Sequence, residues 1–316
     1  MGTTPLWPAA HNPLSPAEHS ELLKLFQPTF AGQLALNQLP VQLHSQLSEF
    51  YLPLAAWLNQ HRPAAGSLLV GLNGSQGSGK TTLCNLLKWL LEAAFECRTC
   101  VLSIDDLYLP KAARKELAKQ VHPLFATRGV PGTHDVPLGL DLFARLKRAT
   151  EDEIIEIPRF NKATDDRFPS REWEHLRGPF DLILFEGWCV GATPQADSEL
   201  EQPINRLEER EDAEGRWRRH VNEQLKGPYR EMFATLDLLL MLKIPDWDLV
   251  YHWRKRQEEQ LAARRSGSGV MGEVALQRFI QHYERLTRHQ LAVLPDRADL
   301  VMNLDRSQRV TEIRLR

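Results

Sequence analysis

The stretch GSQGSGKTT, residues 74 to 82, sets glycines, a lysine and hydroxyls at a spacing suited to an anion. Gly74, four residues, then Gly79-Lys80-Thr81 fits the pattern GxxxxGK[ST] once in the chain. Glycines here let the backbone N–H groups of Ser75, Gln76, Gly77 and Ser78 curl around a phosphate, and a following helix aims its positive end at the same charge. Lys80 then reaches between β- and γ-phosphates, and Thr81, with Thr82 beside it, offers a hydroxyl to Mg2+. A chance glycine-rich turn would lack flanking elements. This one follows an apolar run and precedes the helical run LCNLLKWLLEAAF.

Two sets of carboxylates are placed to act on such a nucleotide. DLILFEG, residues 181 to 187, reads as an apolar strand ending in an acid, so Glu186 is expected near Mg2+, through water or by orienting a ligand. SIDDLYLP, residues 103 to 110, puts Asp105 and Asp106 side by side where another apolar run ends. In a doubly wound sheet ligands bind beyond the C-terminal strand ends, so an acid there faces the phosphate loop across the cleft. Phosphoryl transfer to an alcohol gains from a base that takes the hydroxyl proton. Consecutive residues point in different directions, and one of the two is expected to be that base.

These groups need a scaffold, and the pattern after residue 67 supplies one. Candidate strands are Leu68 to Leu72, Cys100 to Ile104, Ile154 to Ile157, Leu182 to Phe185, Leu236 to Leu242 and Leu300 to Leu304, with Val310 to Leu315 closing a hairpin. Helical stretches alternate with them. The expected class is α/β, of P-loop NTPase type, with a doubly wound, mostly parallel sheet and helices on both faces. Residues 1–66 are expected to form an N-terminal helical extension and 67–316 the kinase domain. The extension opens with a capping box at Ser15-Pro16-Ala17-Glu18, and Pro28 is expected to end its first helix. A second helix from about Pro40 to Gln60 should kink near Pro53. The charged segment Arg206 to His220 reads as a solvated helix or part of a lid, with lid elements placed within 201–270.

Bulk numbers exclude other classes. Lys plus Arg total 39 against 41 Asp plus Glu, for a net charge of −2, so there is no basic excess of the nucleic-acid-binding kind. The most apolar run, Leu236 to Ile244, is half a membrane span and holds a lysine. The first residues read neither as a secretory signal nor, with Leu6 in place of Ser or Thr, as a myristoylation site. Four scattered cysteines suggest packing in a reducing cytoplasm. A GTPase would carry NKxD, whereas the nearest stretch, NLDR at 303 to 306, lacks the lysine. The transporter signature LSGGQ is absent. A small-molecule kinase is favoured.

The chain resembles the phosphoribulokinase, uridine kinase and pantothenate kinase group, and within it the plant and fungal D-glycerate 3-kinases. The matching pieces stand in order over residues 68 to 316: GSQGSGKTTL (74 to 83), SIDDLYL (103 to 109), RGVPGTHD (128 to 135), IPRFNK (157 to 162), ILFEGW (183 to 188), VYHWRKRQE (250 to 258) and FIQHYERLT (279 to 287). The resemblance implies ATP and Mg2+, and a small glycerate-like acceptor. It makes Asp105 the base and Arg254 a lid arginine meeting the transferring phosphate. Asp106 would hold a magnesium-bound water or its own loop, and Asp106 and Tyr108 are both expected among the substrate-binding residues. Arg128, His134, Asp135, Arg159 and Lys162 would lie at the acceptor site. An anionic acceptor does call for a cationic clamp, for which Arg128, Arg159, Lys162 and Arg167 are candidates. Asp135 has a second reading as a helix N-cap. The plant enzymes carry tyrosine then aspartate where this chain has Phe160-Asn161, and the loop from Lys162 to Arg167 is shorter, which leaves open a nucleoside, pantothenate or a sugar phosphate as acceptor. A nucleotide-dependent regulatory protein is the alternative from another class.

Overall fold

Leu68–Gly74 and Leu182–Gly187 are buried at every position, which requires a sheet covered on both faces. The computed structural model describes residues 6–8, 11–36, 39, 41–264 and 272–316. Part of the segment expected to hold a lid, 265–270, lies outside the described residues. In chain order the elements are α1 (Pro16–Leu36), α2 (Leu52–Gln60), β1 (Leu68–Gly74), α3 (Lys80–Phe95), β2 (Thr99–Ser103), α4 (Lys111–Gln120), α5 (Val136–Arg148), β3 (Ile154–Ile157), β4 (Phe160–Asn161), β5 (Asp166–Arg167), β6 (Glu174–Arg177), β7 (Leu182–Gly187), α6 (Arg206–Glu211), α7 (Arg216–Lys226), α8 (Pro228–Phe233), β8 (Leu238–Lys243), α9 (Asp248–Arg264), α10 (Glu273–Val293), β9 (Leu300–Leu304) and β10 (Val310–Leu315).

The central sheet runs β10-β9-β8-β1-β7-β2. All its pairs are parallel except β9 with β10. The expected doubly wound α/β sheet is therefore present, with its reversal in strand order beside β1. That places the C-terminal ends of β1, β2 and β7, and the acids that follow them, around one crevice. One expected strand lies elsewhere. Ile154–Ile157 alternates exposed and buried and pairs antiparallel with β6 as a separate ribbon, with Ile155 and Ile157 buried on one face while Ile154 stays exposed on the other.

The N-terminal helices share the core. Ser15 and Glu18 form the expected capping box, with Ser15 N donating to Glu18 Oε2 at 2.9 Å and Glu18 N to Ser15 Oγ at 3.3 Å. Pro28 does not end α1, which continues to Leu36. Phe26, Phe30 and Leu34 are buried along one face, and both phenylalanines pack on Trp89 of α3. Burying side chains of this size at about 1.5–3 kcal/mol each outweighs the roughly 3 kcal/mol of an interior proline. The break expected near Pro53 comes just before it, as a π-helical turn over Leu47–Tyr51. Pro53 itself sits in the first turn of α2, where its missing N–H costs nothing.

The Arg206 to His220 segment is helical and largely exposed, as expected of a solvated helix, and departs from that expectation in two places. Gly215, at φ +72, divides it between α6 and α7. Arg218 and Asp212 pair at 3.0 Å with side chains 1% exposed, and buried Glu208 pairs with Arg285 of α10 at 2.7 Å. Those three charges serve internal ion pairs, while Arg206, Glu209, Arg210, Glu211, Glu214, Arg216 and Arg219 are exposed.

Candidate active site

The phosphate loop leaves β1 at Gly74 and enters α3 through Gly79, whose φ of +93 is left-handed backbone that favours glycine. A Cβ on Gly74 would stand 2.7 Å from Ser78 Oγ, so the turn closes only with glycine there. Lys80 Nζ donates to the Ser75 carbonyl at 3.0 Å. Ser75 Oγ, Ser78 Oγ and both amide atoms of Gln76 are buried with no hydrogen-bond partner among the described residues. Each such orphan costs about 1–3 kcal/mol until something pairs with it, which fits a loop shaped for an oxygen-rich ligand.

Thr81 Oγ1 donates to Glu186 Oε1 at 2.7 Å, bringing together the two residues expected at a metal. Both present oxygen, the donor Mg2+ takes. Among the described residues no group of three His, Cys, Asp or Glu gathers, and Mg2+ bound here would complete its shell from water and phosphate oxygens, as is usual for it. Burial raises the Glu186 carboxyl above its ordinary pKa against the pull of Lys80. Burial likewise lowers the Lys80 ammonium, with Glu186 and Asp105 opposing it.

Ser103 Oγ accepts from Asp105 N at 3.3 Å and opens a 3-10 turn over Ile104–Leu107, which sends the paired acids apart. Asp105 Oδ2 accepts from Lys162 Nζ at 2.6 Å and Oδ1 from the Tyr108 hydroxyl at 3.0 Å. Asp106 turns to the β4–β5 hairpin, where its Oδ1 accepts from Phe160 N at 3.0 Å and its Oδ2 pairs with Arg159 at 2.8 Å. Burial pushes both carboxyls up. For Asp105 the charge and hydrogen bond of Lys162, with the Tyr108 hydroxyl, outweigh it and hold the group down at about 2. For Asp106 burial prevails over the Phe160 N–H and Arg159, and the pKa is raised.

A cavity of about 370 Å3 joins these groups: Lys80, Thr81, Asp105, Asp106, Tyr108, Arg128, Lys162, Glu186 and Arg254 all line it. Arg128 is ion-paired with Asp165 and lies 5.4 Å over the Phe160 ring, and Arg254 lies 5.8 Å over the Phe279 ring. Three expected acceptor residues stand behind this lining. Arg159 ties Asp106 to Glu174. Asp135 caps α5, accepting from Leu138 N at 3.2 Å, and pairs with Arg167 at 3.1 Å. His134 stacks on Tyr108 with ring centroids 4.5 Å apart. The Tyr229 hydroxyl accepts from Gly132 N and His134 N, so its own proton goes to His134 Nδ1 at 2.6 Å. Burial holds the ring neutral, down to about 3, and its proton therefore sits on Nε2.

Sequence reasoning missed the aromatic wall. Trp188 Nε1 donates to the Gly129 carbonyl at 2.9 Å and the Tyr283 hydroxyl to the Arg128 carbonyl at 3.3 Å, so both hold the RGVPGTHD loop while lining the cavity with Phe279. A Cβ on Gly129, at φ +146, would strike the Tyr283 hydroxyl at 2.3 Å. Trp188 and Tyr283 both lie inside matched motifs, ILFEGW and FIQHYERLT, which was the available signal. Gln308 had none: its amide reaches the Gly77 carbonyl from the β9–β10 turn.

A phosphate loop at β1, an acid after β2 and another at the end of β7, all on one cavity, define a P-loop kinase. No family model matches the chain. The chain is 32% identical to the uncharacterized kinase mug58 of Schizosaccharomyces pombe over 233 residues, 71% of this chain and 81% of that one. It is 28% identical to the chloroplastic D-glycerate 3-kinase of Arabidopsis thaliana over 283 residues, 84% of this chain but 57% of the plant protein, so it spans little more than half that relative's length. Among solved structures, the D-glycerate 3-kinase of Cryptococcus neoformans var. grubii superposes with a TM-score of 0.69 at 24% identity, over 86% of this chain and 98% of that one. The YGR205w protein superposes with a TM-score of 0.61 at 22% identity, over 83% and 94%. The chain belongs to the family of P-loop kinases that holds the fission-yeast kinase and the plant D-glycerate 3-kinase.

Proposed function

We propose that the protein transfers the γ-phosphoryl group of ATP to a hydroxyl of a small anionic acceptor, D-glycerate first among candidates, giving 3-phosphoglycerate and ADP. The observation that carries this reading is the single cavity shared by Lys80, Asp105 and the cations Arg128, Lys162 and Arg254. Asp105 accepts the proton of the C3 hydroxyl, whose oxygen forms the new bond to phosphorus as the bond to the β–γ bridging oxygen breaks. Lys80 and Arg254 stabilise the charge spreading over the transferring group. Thr81 and Glu186 would hold Mg2+, which supplies Lewis-acid neutralisation of the phosphate oxygens. Arg128 and Lys162 answer the acceptor's carboxylate. The names of the plant and Cryptococcus relatives support glycerate.

A coupled ADP-release assay across D-glycerate, pantothenate, uridine and sugar phosphates tests this. ADP release that depends on D-glycerate is expected. Silence with glycerate beside activity with another compound would replace the acceptor, and tight ATP binding with no acceptor-dependent release would favour a regulatory role.

A further inference from the structure

We propose that Lys162 locks the base Asp105, and that an acceptor unlocks it only by carrying a negative charge close to its reacting hydroxyl. The inference rests on the phosphoryl-transfer reading above and adds to it how acceptors are told apart. Both oxygens of Asp105 are engaged, Oδ2 by the Lys162 ammonium at 2.6 Å and Oδ1 by the Tyr108 hydroxyl at 3.0 Å. The first is a charge-assisted contact that neutralises the charge a base uses to draw a proton. Burial pushes the Asp105 carboxyl up, and Lys162 foremost outweighs it. With Lys162 drawn away, the main opposition to burial is gone and Asp105 becomes a stronger base.

Lys162 is also placed to let go. It sits on the turn between β4 and β5, and its side chain is 62% exposed. The base of that turn is fixed by other contacts: Asp106 holds Phe160 N, and Arg114 and Arg128 hold Asp165. The side chain can therefore swing while the backbone stays. Arg128 faces a different competitor, Asp165, so exchanging its partner frees no base. Lys162 is the cation whose partner exchange does.

The short Nζ to Oδ2 separation sets the chemistry of the key. An acceptor hydroxyl bonded to Asp105 brings a carboxylate one or two carbons away within reach of the same ammonium. Two- and three-carbon hydroxy acids fit that span. Glycerol, with the same carbon chain and no charge, leaves the pair closed. The charge of the acceptor thus contributes to turnover as well as to binding.

The test compares wild type, Lys162→Gln and Lys162→Arg with D-glycerate and with glycerol in steady-state ADP release. Wild type is expected to prefer glycerate by at least about a hundredfold in kcat/KM, a range open to a site that pairs with a polar group. In Lys162→Gln the KM for glycerate should rise steeply while kcat for glycerol rises about tenfold or more, because Asp105 is no longer held. Lys162→Arg keeps the charge and should keep the preference. Glycerol turnover that stays level or falls in parallel with glycerate turnover in Lys162→Gln would overturn the lock. If wild type uses another acceptor in place of glycerate, the choice of glycerate fails and the lock is judged on that acceptor against its uncharged analogue. If wild type uses no acceptor, the kinase reading fails and the lock is judged on ATP hydrolysis, since an unlocked Asp105 activates water: a rise of about tenfold in Lys162→Gln supports it and no rise overturns it.

Discussion

Asp105 and Asp106 are neighbours in sequence with different partners, because the 3-10 turn beginning at Ile104 sets one carboxylate against Lys162 and the Tyr108 hydroxyl and the other against Phe160 N and Arg159. Their substitutions should therefore fail in different ways. Asp105→Asn should keep nucleotide affinity and lose about two to four decades of turnover, the usual worth of a general base. Equilibrium binding of a fluorescent ATP analogue beside steady-state rates checks both halves, and normal turnover would remove Asp105 from the chemistry. Asp106→Ala leaves the Phe160 N–H without its acceptor and Arg159 with Glu174 alone, and should cost about 1–3 kcal/mol in urea unfolding.

Among the elements, the loop from Arg128 to Asp135 depends on hydroxyls from elsewhere in the chain. Tyr229 of α8 meets Gly132 N, His134 N and His134 Nδ1. Tyr229→Phe should lower stability by about 1–3 kcal/mol and raise the acceptor's KM more than ATP's, as read from the two substrate titrations. In α1, Pro28→Ala should restore a helical N–H and raise the stability read from urea unfolding by about 1–2 kcal/mol once the proline's stiffening of the unfolded chain is discounted. How much was legible follows contact range. The phosphate loop, the acids after β2 and β7 and the capping box at Ser15 are written in a few consecutive residues, so spacing reveals them. Tyr229, Trp188, Tyr283 and Gln308 act on residues 59 to 231 positions away, where spacing carries no information. Pro28 and the Ile154–Ile157 strand were misplaced because tertiary burial decided what local pattern suggested otherwise.

At the scale of the whole molecule, buried charge and buried histidine set the response to acid and to substitution. Glu208→Gln leaves the largely buried Arg285 guanidinium without its counter-ion and should cost about 3 kcal/mol in urea unfolding. Burial holds His134 neutral down to about 3 and His282 down to about 4. In the unfolded chain each takes up a proton near pH 6.5, so the unfolded state binds more protons below that pH. Stability should fall from pH 6.5 toward 4 by up to about 1.4 kcal/mol per pH unit for each histidine. Urea midpoints at pH 7 and pH 5 measure the slope, which His282→Gln should make shallower.

The amide of Gln308 closes on the Gly77 carbonyl across 231 residues. During synthesis the phosphate loop thus leaves the ribosome early but gains this last support only after the β9–β10 turn has emerged. A nascent chain halted between them carries an unfinished nucleotide site, so capture on immobilised ATP would select ribosome-released molecules over their truncated precursors.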